Sequence, residues 1–239
     1  MKKELKNYPS NHQNLLIRSF GRIKSRKLSE NKNFLLKNLL PIYKIDEEFL
    51  EQIQNSSELK KFSKFCLEIG FGFGDFIFEK AKQNPNILFF GCEPHLNGIV
   101  NLLSKLEKEP LQNLKISNID ARILLSKFPV NFFDQIFILF PDPWPKTKHF
   151  KRRLINSDFF EKVLSPKIKN NSSLTIATDH DSYKTWILAE ILRSKNFSWL
   201  ANSNKDWQIF PNDWIETKYQ KKAASEGRVS VIFNLICNV

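Results

Sequence analysis

Residues 65–75 read FCLEIGFGFGD, a short apolar segment that runs directly into a turn containing three glycines. The segment 65–69 predicts a buried strand, and residues 75–83 have the pattern of a helix that ends near Pro85. Glycines between a strand and a helix let the backbone approach a ligand closely at the helix N-terminus. This unit therefore predicts an α/β fold with a ligand site at the turn.

The alternation of strand-like and helix-like segments continues through the rest of the chain. Further strands are predicted at residues 86–93, 114–120, 134–140 and 173–179, and helices at residues 95–108, 121–128 and 182–195. Another helix is predicted where Asp158 and Glu161 have the spacing of a capping box. A final strand at residues 229–236 is expected to pair with residues 197–201. The pattern predicts a doubly wound, mostly parallel sheet with an antiparallel C-terminal strand.

Positive charge is concentrated in two parts of the sequence. The net charge is +12, and 29 of the 37 cationic residues are lysines. Residues 1–44 carry a net charge of +9, and residues 146–153 contain five cations and no acid. This uneven distribution predicts a nucleic-acid partner, although a solvated basic tail is an alternative for the first segment. We divide the chain into a basic, partly flexible extension (residues 1–60) and an α/β domain (residues 61–239).

The sequence lacks the signals of membrane and metal proteins. No run approaches the roughly 20 apolar residues of a membrane span, and the first residues lack the apolar region of a signal peptide. Cys66, Cys92 and Cys237 lie within apolar segments without the close spacing of a zinc site. These observations predict a cytoplasmic protein with buried thiols, no membrane contact and no metal.

Acidic residues lie at the ends of successive predicted strands. Glu68 precedes the first glycine of the turn by two residues, and Asp75 occupies the position of the third glycine in a dinucleotide-binding motif. An acid beside this turn disfavours a pyrophosphate but suits the ammonium and sulfonium of S-adenosylmethionine. Glu93 is placed to accept from ribose hydroxyls and Asp120 to meet an adenine amine. Any one of these acids alone is also explained as a helix N-cap.

Residues 140–153 read FPDPWPKTKHFKRR and join a rigid, proline-framed carboxylate to a cationic run. Asp142 follows the predicted strand 134–140, at the sheet edge where ligands bind in open α/β folds. The prolines fix φ, so the loop loses little conformational freedom on binding. A simple turn with Trp144 as a hydrophobic plug remains the alternative. For His149, a hydrogen bond to phosphate is a simpler role than catalysis.

With these motifs in place, the chain resembles the bacterial tRNA (guanine-N7)-methyltransferases. The resemblance rests on RSFGR at residues 18–22, LEIGFG at 67–72, PDPWPK at 141–146 and TKY at 217–219. The segment 141–154 is specific, whereas all class I methyltransferases share the glycine turn. The resemblance implies a Rossmann-like fold and methyl transfer from S-adenosylmethionine to N7 of nucleotide 46 of tRNA. The sequence leaves open whether the protein is a monomer or homodimer.

The resemblance also implies roles for individual residues. Guanine N7 carries no proton to remove, so Asp142 is expected to be catalytic through orientation and electrostatics instead of as a general base. Contacts to S-adenosylmethionine are implied for Glu68, Gly70, Gly72, Glu93, Asp120 and Asp142. Contacts to the substrate nucleotide are implied for Lys146, Asp179, Thr217, Lys218, Tyr219 and Gln220. Interaction with RNA is implied for Lys148, His149, Lys151, Arg152 and Arg153.

Two positions depart from the family pattern, and two other functions compete with it. The family usually has Arg at position 148 and Glu at position 220, where this chain has Lys148 and Gln220. Lysine loses the bidentate fork of arginine, and glutamine keeps one neutral carbonyl acceptor. A methyltransferase acting on an exocyclic amine has a superficially similar Asp-Pro-Pro-aromatic motif, but Trp144 replaces the second proline here. A nucleic-acid-binding module with an inactive cofactor fold would not need the strand-end acids.

Overall fold

A seven-stranded sheet forms the centre of the protein. The computed structural model describes residues 28–55, 57–203 and 205–238. The strands are β1 (Lys64–Ile69), β2 (Ile87–Cys92), β3 (Leu114–Ser117), β4 (Phe133–Leu139), β5 (Ile168–Thr178), β6 (Phe197–Trp199) and β7 (Val231–Cys237). Their order is β3-β2-β1-β4-β5-β7-β6. Strands β1 to β5 pair in parallel, and β7 pairs antiparallel with both β5 and β6. The predicted fold class is confirmed.

Helices cover both faces of this sheet. The α-helices are α1 (Glu30–Asn38), α2 (Leu40–Tyr43), α3 (Glu47–Asn55), α4 (Asp75–Gln83), α5 (Leu96–Lys108), α6 (Ala121–Lys127), α7 (Asp181–Arg193) and α8 (Lys218–Ser225). Short 3-10 helices span Ser57–Lys61, Thr147–Arg152, Ser165–Lys167 and Asp206–Gln208, and Phe159–Leu164 forms a π-helix. Helix α4 has the predicted bounds, and α5, α6 and α7 differ from the prediction by one or two residues at an end.

Three local predictions are wrong. Strand β5 begins at Ile168 instead of residue 173. Strand β3 ends at Ser117 instead of residue 120, because Asp120 already serves as the N-cap of α6. The capping box at Asp158 does not form, and Asp158 makes no capping hydrogen bond. The side chain of Asn156 instead accepts from the N–H of Phe159 at 3.0 Å. Glu161 accepts from the hydroxyl of Ser194 at 2.6 Å and so ties this segment to the end of α7.

The hydrophobic core lies on the two faces of the sheet. On one face, Leu125 of α6 and Ile187 of α7 are fully buried against the strands. On the other face, Ile77 of α4 and Leu103 of α5 are fully buried, and Leu35 of α1 joins them. Full burial of each aliphatic side chain contributes about 1.5–3 kcal/mol. The three cysteines are buried and form no disulfide, as the sequence predicts. The packed layers leave the carboxyl ends of β1, β2 and β4 open for a ligand.

The described part of the N-terminal extension covers the outer edge of β3. The N–H of Ile45 donates to the carbonyl of Ile116 at 2.8 Å, and Lys115 donates to the carbonyl of Ile42 at 2.9 Å. Covering an edge strand removes a template for pairing with another chain. Residues 1–27 of the extension, which include the RSFGR motif, lie outside the described residues. Within the described ranges, no helix has the length and apolar character of a membrane span.

Candidate active site

A cavity of about 410 Å³ opens at the carboxyl ends of the central strands. It lies beside β1. From β1 the sheet extends through β2 to β3 on one side and through β4 to β5 on the other. This is the switch point where ligands bind in open α/β folds. The structure brings most of the predicted cofactor residues together there. The lining includes Gly70, Gly72, Glu93, Asp120, Asp142 and Tyr219.

The glycine turn forms one wall of this cavity. Gly72 has φ +54°, in the left-handed region, and its N–H donates to a carboxylate oxygen of Glu93 at 2.9 Å. A side chain at Gly72 would come within 2.8 Å of the Tyr219 ring. The helix beyond Glu93 approaches the turn so closely that a Cβ at Gly98 would lie 2.3 Å from the carbonyl oxygen of Gly72. The sequence interpretation missed Gly98, whose signal is a glycine inside an amphipathic helix.

Glu68 lies behind the glycine turn and is almost completely buried, with 3% of its surface exposed. It lines a small second pocket together with Thr217, Lys218 and Tyr219. Its Oε2 atom has no hydrogen-bond partner among the described residues. Burial raises the pKa of Glu68 to about 8, with the charge of Glu93 adding to the shift. A buried carboxylate with a spare oxygen is suited to a ligand that brings positive charge.

Glu93 is held in place by backbone donors. One carboxylate oxygen accepts from Gly72 and the other from the N–H of His95 at 2.8 Å. Burial nevertheless raises the pKa of Glu93, since these hydrogen bonds only partly compensate for lost water. Its contacts fix the glycine turn against the start of α5. The carboxylate therefore combines a structural role with exposure to the cavity.

Asp120 is bound by its own neighbour. Its side chain caps α6 by accepting from the N–H of Arg122, and the guanidinium of Arg122 donates to both carboxylate oxygens at 2.8 Å. Burial opposes ionisation, but the hydrogen bonds and charge of Arg122 lower the pKa of Asp120 below its ordinary value. Arg122 also lines the cavity, and the sequence interpretation missed it. Asp120 is thus both an N-cap and a cavity residue.

Asp142 stands at the mouth of the cavity on the loop after β4. Its side chain is exposed, yet the surrounding walls displace part of its water and raise the pKa of the carboxyl. The loop is conformationally constrained: Phe140 and Trp144 have φ of +53° and +43°, which non-glycine residues rarely adopt. The N–H of Phe140 donates to the carbonyl of Ala177 at 2.8 Å, which anchors the loop to β5.

The basic residues after this loop lie in three different environments. Lys146, Lys148 and Lys151 are exposed. Arg152 lies over the ring of Trp144, with its guanidinium carbon 4.9 Å from the ring centroid, and His149 packs edge-on against the same ring at 5.8 Å. Partial burial and the charge of Arg152 and the neighbouring lysines lower the pKa of His149. Arg153 differs from all of these, because only 2% of its surface is exposed.

The segment at residues 217–220 joins the cavity through Tyr219. Thr217 caps α8 by accepting from the N–H of Gln220 at 3.1 Å, and Gln220 accepts from the indole of Trp214 at 2.8 Å. Tyr219 lies over Gly72, and burial raises the pKa of its hydroxyl, with Glu93 and Asp142 adding to the shift. Lys218 lies 4.3 Å from the centroid of the Phe73 ring. The helix start thus closes one side of the cavity.

Asp179 and Lys146 lie outside the cavity lining. Asp179 follows β5 and accepts from the guanidinium of Arg228 at 2.7 Å. Arg228 also pairs with Glu226 just after α8. The sequence interpretation missed Arg228, which connects the end of α8 to the end of β5. Among the described residues, no group of three or more potential ligands is arranged to hold a metal ion.

Comparisons with known proteins agree with this geometry. A family model described as "Putative methyltransferase" matches residues 63–232. A tRNA (guanine-N(7)-)-methyltransferase of Hyphomonas neptunium is 38% identical over 206 residues, which cover 86% of this chain and 93% of that protein. A protein of the same name from Agrobacterium fabrum is 36% identical over 224 residues, covering 91% and 94%. A solved structure described as an antibiotic-related methyltransferase has a TM-score of 0.54 at 19% identity, covering 81% and 94%, and shares the fold.

Proposed function

The chain belongs to the family of tRNA (guanine-N(7)-)-methyltransferases, and we infer that it methylates N7 of the variable-loop guanine, nucleotide 46, of tRNA. The methyl donor is S-adenosylmethionine, and the product is 7-methylguanosine. The inference rests on the sequence identity to these relatives, which extends over most of the chain. The cavity at the strand ends supplies independent physical support, since it combines a glycine turn with several acids.

The residues around the cavity fit S-adenosylmethionine. The glycine turn leaves room for close backbone approach: a Cβ at Gly70 would meet nothing within 4 Å. The spare oxygen of Glu68 suits the ammonium group, although the turn lies between this carboxylate and the larger cavity. Glu93 and Asp120 are assigned to the ribose hydroxyls and the adenine amine. We assign the mouth of the cavity, beside Asp142, to the reacting methyl group.

The chemistry explains why the site is acidic and why the reaction needs no general base, although His95 lines the cavity. S-adenosylmethionine, when bound, supplies an electrophilic methyl group on a sulfonium. Guanine N7 has a free lone pair and no proton, so attack requires no deprotonation. The contribution of this chain is alignment of the two reactants and electrostatic stabilisation. Because the purine becomes cationic, a fixed carboxylate at Asp142 favours the product-like charge distribution.

Binding of tRNA is assigned to the cations next to the loop. Lys148 and Lys151 are exposed, and His149 and Arg152 lie on Trp144 at the same surface. Such a cluster matches a phosphate backbone. Lys146, Asp179 and residues 217–220 are assigned to the substrate nucleotide, for which Tyr219 offers an exposed ring beside the cavity. We propose a cytoplasmic enzyme that acts as a monomer or homodimer, which its mass in solution would test.

The decisive experiment is methyl transfer to unmodified tRNA. Purified protein is incubated with labelled S-adenosylmethionine and a tRNA transcript, and the RNA is then cleaved chemically at 7-methylguanosine. Cleavage at nucleotide 46, and its absence in a transcript with adenosine there, is the expected result. Label incorporated at an exocyclic amine would instead favour the alternative chemistry. Equilibrium binding of tRNA without binding of S-adenosylmethionine would favour the binding-only alternative.

A further inference from the structure

Arg153 is the last cation of a basic run, but its environment is that of a core residue. Only 2% of its surface is exposed, whereas Lys148 and Lys151 in the same run are open to solvent. Arginine is almost never fully buried unless its charge and donors are satisfied by the protein. The charge and the donors of this guanidinium must therefore be satisfied by groups of the protein.

Three hydrogen bonds and three aromatic rings surround the guanidinium. Its Nε donates to the carbonyl of Pro143 at 2.9 Å, and its terminal nitrogens donate to the hydroxyl and carbonyl of Ser182 at 3.0 and 3.4 Å. The guanidinium carbon lies 3.8 Å from the ring centroid of Phe150, 4.9 Å from that of Tyr183 and 5.1 Å from that of Trp186. Among the described residues, no carboxylate forms an ion pair with Arg153. The donors are thus directed at backbone and hydroxyl oxygens instead of a counter-ion.

These contacts join the loop of Asp142 to the start of α7. Pro143 directly follows Asp142, and Ser182 lies three residues after Asp179. The loop has no regular secondary structure, and Trp144 has φ +43°, a conformation that persists only when surrounding contacts enforce it. The bond from Arg153 to Pro143 supplies such a contact between Asp142 and Trp144. The cation therefore fixes the backbone that carries the carboxylate.

The buried hydroxyl of Tyr183 provides a second sign that Arg153 and Asp142 share one environment. Burial raises the pKa of Tyr183, the charge of Arg153 opposes the shift, and the charge of Asp142 adds to it. Tyr183 also accepts a hydrogen bond from the N–H of Ile155 at 3.2 Å. The ring of Tyr183 therefore lies within electrostatic reach of both charges and is fixed by the segment that follows Arg153.

We propose that Arg153 is a positioning residue that holds the Asp142 loop in its reactive conformation, and that it does not bind phosphate. The proposal rests on the proposed methyl transfer to guanine N7. It separates Arg153 from Lys148, His149, Lys151 and Arg152, although all five lie in one basic run. Removing the guanidinium then affects the chemical step, whereas removing an exposed lysine affects tRNA binding.

The test uses Arg153→Met and Arg153→Lys in the full-length enzyme, with Lys151→Met as the matched comparison. Methionine retains an unbranched apolar stem but leaves Pro143 without its donor. We expect Arg153→Met to lower kcat roughly tenfold to hundredfold, because small displacements of an aligned group are costly. Its tRNA Kd and the salt dependence of that Kd should match those of the wild type. Arg153→Lys should restore part of kcat, and Lys151→Met should reduce the salt slope by about one.

A second variant keeps the proposal testable if Arg153→Met does not fold. Ser182→Ala removes one acceptor of the guanidinium at an exposed position, and we expect a fall of a few-fold in kcat with an unchanged Tm. Thr185→Ala, which removes a hydroxyl bonded within the same helix, is the control.

Three results would overturn the proposal. The first is a reduced salt slope for tRNA binding by Arg153→Met, whatever its kcat. The second is unchanged kcat in folded Arg153→Met, and the third, if that variant is unfolded, is unchanged kcat in Ser182→Ala. Formation of 7-methylguanosine by the wild type separates these failures from failure of the proposed function itself.

Discussion

The acids at the strand ends form two groups, which differ in whether an arginine pairs with them. Asp120 and Asp179 have arginine partners, Arg122 and Arg228. Glu68, Glu93 and Asp142 form no ion pair within the described residues, and burial raises the pKa of each. A carboxylate with an arginine partner can hold two elements together without any ligand. A carboxylate that lacks a cation in a desolvated site costs stability until a positive ligand arrives.

The difference separates acids whose charge is balanced within the protein from acids whose charge is balanced only when a positive ligand binds. Arg122 joins the N-terminus of α6 to its cap, and Arg228 joins the end of α8 to the end of β5. The carboxylates without cationic partners surround the glycine turn and the loop after β4, where the proposed sulfonium, ammonium and methylated guanine bring positive charge. Variants of the second group should therefore affect activity much more than variants of the first.

The largest effect is expected for Asp142→Asn. The change keeps the size of the side chain but removes the charge that favours the cationic purine, so kcat should fall by at least about 10²-fold. Asp158→Asn is the control, since Asp158 is exposed and its ion-pair partner among the described residues is Lys162. Retention of kcat in Asp142→Asn would contradict the electrostatic role. A substantial solvent isotope effect on kcat in the wild type would instead indicate a proton transfer and hence a base.

The next largest effect is expected for Glu68→Gln. Loss of a charge-assisted hydrogen bond should weaken binding of S-adenosylmethionine roughly tenfold to hundredfold, measured by calorimetry. In the protein without ligand, the same substitution is expected to increase stability. The pKa of Glu68 is about 8 when folded and 4.5 ordinarily, so folding binds a proton between these values. The stability of the wild type should therefore fall as pH rises from about 4.5 to about 8, and in Glu68→Gln this decrease should be smaller.

The two halves of this result test different statements. A variant with weaker cofactor binding and an unchanged pH dependence of unfolding would contradict the statement that the buried carboxylate destabilises the protein. A variant with altered stability and unchanged affinity would show that the spare oxygen of Glu68 does not meet the ligand. Glu79→Gln serves as the control, because Glu79 lies on α4 away from both pockets.

The sheet and the position of the acids were predictable from the sequence. Which of the acids have an arginine partner was not. Strand periodicity and the glycine turn predict that Glu68, Glu93 and Asp142 lie at one edge. The partner of Asp179 is Arg228, 49 residues away, and only the antiparallel insertion of β7 beside β5 brings them together. Similarly, Arg152 and Arg153 are adjacent in sequence, but the end of a 3-10 helix directs the second into the core.

A smaller effect is expected for Arg228→Ala. The pair with Asp179 is partly exposed, with 42% and 20% of the side chains accessible, so it contributes little. Because exposed pairs contribute weakly, we expect KM for tRNA to rise by only about 1.5- to 5-fold. Arg228→Lys should recover part of this loss. Lys162→Ala, which breaks the exposed pair with Asp158, is the control. A loss in kcat as large as that of Asp142→Asn would remove the distinction between the two groups of acids.

An effect of similar size, but in the direction of higher activity, is expected for Gln220→Glu, which adds a charge to α8 next to Tyr219. Gln220 accepts from the indole of Trp214, and a glutamate keeps this acceptor, so the fold of the segment should not change. The added carboxylate can accept from guanine N1–H and N2–H or attract the cofactor ammonium more strongly than a neutral amide. We expect kcat/KM to rise by about twofold to fivefold, with Gln112→Glu as an exposed control. Unchanged kcat and KM would mean that Gln220 acts only through Trp214, as a support for Tyr219, and not on the base.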